Sequence, residues 1–181
     1  MQLYHGSPFK FDKFDLSSAG DGTGIKYGFG VYLTERYESA VHYSQPRHLE
    51  LMPEHYVYTV EIPDLTAENH LVSAQPVEPS IVARVEAKLG CKASEEDKGK
   101  GKLFRKWVGL TLAGCKKKDF ASEKAAAEFL DSLGVHFMVW PTAQNKPDGD
   151  KNIAVFDASK VRIIQCDPIE IVRKGKKWVL K

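Results

Sequence analysis

The sequence lacks the features of a membrane-spanning or secreted protein. Its 181 residues contain no uninterrupted run of about 18 apolar side chains, the length that a membrane-spanning helix requires. The first residues, MQLYHGSPFKFDKFD, contain no apolar segment of the kind that a secretory signal carries. We therefore expect a cytoplasmic protein with no membrane partner.

Cysteine is scarce, and its spacing suggests neither a disulfide framework nor a metal site. Cys91, Cys115 and Cys166 form no CxxC pair, and none of the six histidines lies at metal-ligand spacing from them. An odd number of isolated thiols without a signal segment is typical of a reducing compartment. We predict no bound metal.

Neither sign of charge dominates, but the charges are unevenly distributed. Lys and Arg number 26 and Asp and Glu number 24, which gives a net charge of +2. Residues 92–118 carry a net +6 and residues 173–181 a net +5, so the rest of the chain carries −9. Such basic segments are either ordinary solvated surface or contacts with nucleic acid or another acidic partner.

The length and the order of predicted elements indicate one domain, residues 1–181, of the α+β class. Hydrophobic residues make up 43% of the chain, as in ordinary globular domains. Helices are predicted apart from a block of consecutive strands, which argues against a doubly wound parallel sheet. The periodicity predicts helices at 35–44, 79–89, 103–113 and 122–133, and strands at 2–5, 55–62, 135–140, 152–156, 161–164 and 169–172. Residues 27–33 are predicted to form an aromatic, glycine-containing turn that runs into a strand, and residues 178–180 a final edge strand.

Apolar positions on these elements define a predicted core. It comprises Leu3, Val31, Leu33, Val57, Val60, Ile81, Val85, Trp107, Leu110, Phe129, Leu133, Val139, Val155, Val161 and Ile163. Ser122 is predicted to cap the last helix, and the segment 92–101 is predicted to be a loop.

Three segments place polar or aromatic groups beside exposed backbone. In the first, LYHGS, Gly6 follows a strand and lets a flat ligand approach the main chain, while His5 and Ser7 flank it with hydrogen-bonding groups. In the second, YGFGVY, two glycines and several aromatics, among them Phe29 and Tyr32, are suited to a slot for a planar ring.

The second segment has a further member, and the third begins a late strand. Tyr43 follows Tyr32 by eleven residues, and Asn152 opens a strand after a polar loop. Each feature alone is more often structural: a turn histidine, a core aromatic or a strand-end amide. Their combination in this order carries the information.

The combination resembles the ADP-ribosyltransferase domain of the diphtheria-toxin and poly(ADP-ribose) polymerase type. LYHGS resembles that family's first motif, YGFGVYLTE followed by AVHY its second, and NIAVFDASKVRII its third. YTVEIPD and FLDSLGVHFMV are similar to segments of small bacterial and phage-associated members. The resemblance implies a split, mostly antiparallel sheet with a helical insert at residues 66–118 and a basic C-terminal segment at 173–181.

The resemblance also implies residue roles around NAD. His5 would hydrogen-bond the adenosine-side ribose, and Gly6 and Ser7 would hold the nicotinamide carboxamide. Tyr32 and Tyr43 would sandwich the nicotinamide ring, and Phe29 would belong to the same NAD site. Residues 17–26 would form a mobile loop over the adenine or substrate side.

The third motif departs from the family pattern. Many members that transfer ADP-ribose carry Glu where this chain has Asn152. An amide can donate and accept hydrogen bonds, but it carries no negative charge and is no general base. Poly-ADP-ribosylation, which needs an activated ribose hydroxyl, is therefore not expected, whereas mono-transfer to an acceptor that is already nucleophilic, or that another group deprotonates, is. Asp148, Asp150 and Glu35 are the candidates for supplying a carboxylate.

The expected function is mono-ADP-ribosyl transfer from NAD to a protein or nucleic-acid acceptor, with release of nicotinamide. The catalytic residues would be His5, Tyr32 and Asn152. In this resemblance the protein would act as a toxin, defence effector or host-modifying factor with a neutralising antitoxin. The alternatives are transfer directed at nucleic acid, a non-catalytic NAD- or nucleotide-binding module, and a purely structural domain.

Overall fold

The computed structural model describes residues 1–17, 25–45, 50–143 and 149–181. These residues form a mixed seven-stranded sheet, five α-helices and a separate two-stranded hairpin. The predicted α+β class is confirmed.

Eight of the nine strands of the described ranges correspond to predicted strands, most of them within two residues of the predicted bounds, and the strand at His70–Val72 was not predicted. The strands are β1 (Gln2–Ser7), β2 (Val31–Thr34), β3 (Tyr56–Glu61), β4 (His70–Val72), β5 (Phe137–Pro141), β6 (Lys151–Val155), β7 (Arg162–Pro168), β8 (Ile171–Lys174) and β9 (Lys177–Leu180).

The strand order of the large sheet is β4-β5-β6-β2-β1-β3-β7. The pairing of β4 with β5 is parallel, and the other neighbours are antiparallel. β1 pairs with β3 from Gln2 to Ser7, but its register with β2 consists of one described pair, Tyr4 with Thr34. The two central strands therefore diverge beyond this pair.

The helices are α1 (Tyr37–Tyr43), α2 (Pro79–Leu89), α3 (Glu95–Lys98), α4 (Gly101–Ala113) and α5 (Phe120–Ser132). The segment predicted as a loop at 92–101 contains α3, whose first turn is capped by the Ser94 hydroxyl. Ser122 is not the cap of α5. Asp119 is, and Ser122 lies in the first turn, where its hydroxyl completes a reciprocal capping box.

The core lies on the two faces of the sheet. On one face, α2, α4 and α5 bury Ile81, Phe104 and Leu130 against Met138 and Ala154. On the other, a cluster is built mainly from strand residues. Most predicted core residues are buried, whereas five of them are only partly buried: Trp107, Leu110, Phe129, Leu133 and Ile163.

The described ranges contain neither a helix that could span a membrane nor a cluster of metal-ligand side chains. No helix there combines the length and apolar character needed to cross a membrane. No group of three or more His, Cys, Asp or Glu side chains there is arranged to hold a metal ion.

Candidate functional site

A cleft of about 390 Å³ lies beside the point where β1 and β2 diverge. Five of the seven residues predicted for the site line it: His5, Gly6, Tyr32, Tyr43 and Asn152. They come from β1, β2, α1 and β6, so the fold brings together segments that are far apart in the sequence.

The register of the sheet places several polar and aromatic side chains on one face. Asn152 of β6 lies opposite Thr34 of β2 and Trp140 of β5. Tyr32 is two residues from Thr34 and, because side chains alternate along a strand, it shares that face. All four residues line the cleft.

His5 is held in one tautomer by a backbone hydrogen bond. Its Nδ1 lies 2.8 Å from the carbonyl oxygen of Tyr32. A carbonyl can only accept, so Nδ1 carries the proton and Nε2 of the neutral ring is an acceptor. Burial lowers the pKa of His5, and the bond to Tyr32 opposes this only in part. The ring packs edge-on against Phe14.

The partly buried His5 and the buried His55 should make stability depend on pH. Burial also lowers the pKa of His55, whose Nε2 lies 3.0 Å from Oε1 of Gln45. Unfolded histidines titrate near pH 6.5 or slightly above, so below this the unfolded chain binds more protons than the native chain. The contribution of the two histidines to stability is therefore complete above about pH 6.5. It is lost as the pH falls through their lower native pKa values.

We expect the urea midpoint of the native protein to fall between about pH 7.5 and pH 5.5. His5→Gln and His55→Gln should each have a lower urea midpoint than the native protein at about pH 7.5. Their midpoints should then decrease less between about pH 7.5 and pH 5.5. Urea unfolding followed by circular dichroism across this range measures the effect. An unchanged slope in both variants would contradict the assignment.

Tyr32 joins the cleft to the glycine-containing turn. Its hydroxyl donates to the carbonyl of Gly28 at 2.8 Å and accepts from the amide of Tyr27 at 3.1 Å. Burial raises the pKa of Tyr32. The hydroxyl is thus occupied by hydrogen bonds within the turn. A ligand in the cleft would therefore contact the aromatic ring of Tyr32. Gly30 has φ +155°, and a Cβ there would lie 2.4 Å from the carbonyl oxygen of Val155, so this turn position requires glycine.

A stacked aromatic pair at the cleft was not predicted. The rings of Tyr27 and Trp140 are parallel, with centroids 4.1 Å apart, and both residues line the cleft. Trp140 ends a predicted strand, a position that normally indicates core. Its pairing with Asn152 in the sheet is the feature that places it in the site, and that pairing has no local sequence signal.

Gly6 determines how close α1 lies to β1. A Cβ at Gly6 would lie 1.8 Å from the carbonyl oxygen of Ala40 in α1. The absent side chain therefore lets the helix pack directly on the strand. This packing positions Tyr43, the last residue of α1, at the cleft, where its side chain is 54% exposed.

Ser7 and Phe29, which were predicted to contact NAD, are not part of the cleft lining. The Ser7 hydroxyl is buried and accepts from the amide of Phe9 at 3.0 Å, which stabilises the turn after β1. Phe29 is buried in the core and packs edge-on against Phe120, with ring centroids 5.5 Å apart.

The predicted carboxylates have other partners or lie outside the described residues. Glu35 Oε2 accepts from the amide of Lys151 at 2.7 Å. Asp150 lies 3.6 Å from the guanidinium of Arg36. Asp148 and most of the predicted loop 17–26 fall in the ranges 144–148 and 18–24, which are not described.

No Asp or Glu of the described ranges lines the cleft, and Lys26 is the charged residue that does. The lining can stack on a planar ring and exchange hydrogen bonds through His5, Asn152 and exposed backbone.

Comparison with known proteins does not add to this geometry. No protein-family model, no curated protein and no solved structure matches the chain.

Proposed function

We propose that this protein is an NAD-dependent mono-ADP-ribosyltransferase and that its sheet is the split sheet of that family. The observation that supports this most is the convergence of His5, Gly6, Tyr32, Tyr43 and Asn152 on one cleft. The five residues belong to three sequence motifs that lie far apart along the chain.

In this proposal the residues of the cleft would bind the nicotinamide ring and both riboses of NAD. The rings of Tyr32 and Tyr43 would stack on the nicotinamide, and the backbone at Gly6 would bind its carboxamide. Nε2 of neutral His5 would accept from a hydroxyl of the adenosine-side ribose, and the amide of Asn152 would donate to the nicotinamide-side ribose. Fixing both sides of the glycosidic bond positions it for cleavage.

The reaction needs no redox partner. The bond between nicotinamide nitrogen and ribose C1′ breaks, and the leaving nicotinamide keeps the electron pair and becomes neutral. A nucleophilic atom of the acceptor bonds to C1′ and releases its proton to solvent. Because no described carboxylate lines the cleft, the acceptor itself must be nucleophilic or be deprotonated by another group.

The same absence favours a second function, a non-catalytic NAD-binding module. Titration calorimetry with NAD and chromatography of released nicotinamide separate the two. The transferase releases nicotinamide and adds the mass of ADP-ribose to a component of a cell lysate. The binding module binds NAD without release. If the protein neither binds nor cleaves NAD, both proposed functions are excluded.

Tyr43→Ala should weaken NAD binding about 10- to 100-fold, because stacking a ring on an aromatic side chain contributes about 1–3 kcal/mol. The side chain is more than half exposed, so the unfolding free energy should change by less than about 0.5 kcal/mol. Calorimetry and urea unfolding measure the two effects.

Phe9→Ala is the matched control, because Phe9 is 56% exposed and lies outside the cleft lining. It should leave NAD affinity unchanged. Equal affinity in Tyr43→Ala and the native protein would remove Tyr43 from the ligand site.

A further inference from the structure

Two lysines lie over the ring of Tyr27 at the edge of the cleft, and two more lie close to them. Nζ of Lys26 and Nζ of Lys102 lie 5.4 Å and 5.6 Å from the centroid of its ring. Nζ of Lys118 donates to the carbonyl of neighbouring Ile25 at 3.2 Å. Lys106 lies one turn beyond Lys102 on α4 and is exposed. We call Lys26, Lys102, Lys106 and Lys118 the basic rim.

The basic rim joins a charged segment of the sequence to the candidate site. Lys102, Lys106 and Lys118 belong to the basic segment 92–118, which the sequence pattern left unassigned. Because Lys26 and Tyr27 line the cleft, the packing of α4 brings this charge to the cleft edge.

Little negative charge balances the rim. Lys118 shares Glu123 with the buried Arg105, at 3.3 Å from its carboxylate. No ion pair joins Lys26, Lys102 or Lys106 to a carboxylate within the described ranges. Burial and the positive charges of Arg105, Lys102 and Lys106 lower the pKa of Lys118, so the cations act on one another.

We propose that the basic rim binds the phosphates of a single-stranded nucleic acid, which is the acceptor of the reaction. This inference rests on the proposed transferase function. Closely spaced ammonium groups, three of which have no carboxylate partner within the described ranges, match a regularly charged backbone better than a protein surface of mixed charge. The rim would hold the strand beside the cleft and present one nucleotide to it.

The position of the cleft argues for a single strand. An acceptor atom must reach C1′ inside the cleft, whereas the bases of a duplex are stacked and paired. An unpaired nucleotide can leave its neighbours at little cost. In the step itself, a base or terminal-phosphate nucleophile bonds to C1′, nicotinamide leaves with the electron pair, and any acceptor proton passes to water.

The experiment measures binding of a fluorescent oligonucleotide of about 20 nucleotides, as single-stranded DNA, single-stranded RNA and duplex, by anisotropy. Single strands should bind more tightly than the duplex. Lys102→Gln/Lys106→Gln should weaken binding about 10- to 30-fold at about 0.1 M salt, since each contact contributes about 0.7 to the slope of log affinity against log salt. The slope should fall by about 1.4.

Lys10→Gln/Lys88→Gln is the matched control, because it removes the same charge from exposed lysines on other elements. It should bind the oligonucleotide like the native protein. Equal losses in both double variants, or tighter binding of the duplex, would overturn the inference. So would a loss of NAD affinity in Lys102→Gln/Lys106→Gln with unchanged oligonucleotide binding, which would assign the rim to the dinucleotide.

Mass spectrometry of the oligonucleotide incubated with NAD keeps the two proposals separate. A mass gain of one ADP-ribosyl group, lost in Lys102→Gln/Lys106→Gln, supports both. If nicotinamide is released but no oligonucleotide is bound or modified, the proposed transferase function stands and the proposed nucleic-acid acceptor is wrong. If single strands bind in a way that depends on the basic rim but no nicotinamide is released, the rim is a nucleic-acid-binding surface and the proposed transferase function is wrong.

Discussion

Gly6→Ala should lower the free energy of unfolding by about 3 kcal/mol, because the added methyl group has no space. Its Cβ would lie 1.8 Å from the carbonyl oxygen of Ala40 and 2.8 Å from the amide nitrogen of Ser44. Both atoms belong to backbone, so no side-chain rotation relieves the overlap. Helix α1 must move away from β1, and Ala40 and Val41, each 1% exposed, must leave their packing.

Urea unfolding of Gly6→Ala and Gly90→Ala distinguishes this overlap from a general effect of replacing glycine. Gly90 has φ +70°, and a Cβ there would meet nothing within 4 Å. Its replacement should cost about 1 kcal/mol, from the left-handed backbone alone. Similar losses in the two variants would contradict the close packing of α1 on β1. Because α1 carries Tyr43, Gly6→Ala should also weaken NAD binding more than its stability loss requires.

The α+β class was predictable because the longer strands and helices each have a local sequence pattern. β3 alternates β-branched and aromatic residues, and α2 ends at Gly90, which adopts the left-handed conformation that stops a helix. The short elements were not predictable. β4 has three residues and α3 has four, too few for a period to show. The parallel pairing of β4 with β5 depends on the path of the four intervening helices.

The candidate site was predicted where the motif residue itself faces the cleft. Tyr32 and Phe29 belong to one aromatic segment, yet the turn around Gly28 and Gly30 directs Tyr32 to the cleft and Phe29 to the core. A sequence pattern does not distinguish these directions, because both depend on positive φ angles at the glycines. Trp140 was missed for a related reason, since its role follows from strand pairing.

The charge pattern was informative only in part. The sequence shows that segment 92–118 is basic, but its charged side chains lie in different environments in the structure. Lys98 pairs with Glu86 and Glu95, and Arg105 is buried, whereas Lys102 reaches the ring of Tyr27. Charges that are close in the sequence diverge in this way because one face of a helix packs against the core and the other is solvated.

Arg105 and Glu123 form an ion pair inside the helical layer, between α4 and α5. Their side chains are 1% and 2% exposed. Burial lowers the pKa of Arg105 to about 10, still far above neutral pH, so the guanidinium keeps its charge. Glu123→Gln should lower the free energy of unfolding by about 4 kcal/mol, because it leaves this charge buried without its counterion.

Glu86→Gln is the matched comparison, because Glu86 is also a buried carboxylate with two basic partners. Its partners, Lys92 and Lys98, are 81% and 26% exposed, so water solvates them when the carboxylate is neutralised. Its loss of stability should be clearly smaller than that of Glu123→Gln. Urea unfolding of both variants makes the comparison, and equal losses would show that the burial of Arg105 does not control the cost.

Arg105→Met/Glu123→Leu tests whether the charge itself or the packing is needed. Replacing a buried pair by apolar residues of similar volume is often nearly neutral, so this variant should recover most of the stability lost in Glu123→Gln. The double variant should not restore the native conformation of the turn at Gly28 to the same extent. A Cβ at Gly28 would lie 3.2 Å from Cδ of Arg105, so the arginine side chain packs under the turn that Tyr32 holds. We therefore expect a stable variant with weakened NAD binding, and native NAD affinity would show that the turn does not depend on Arg105.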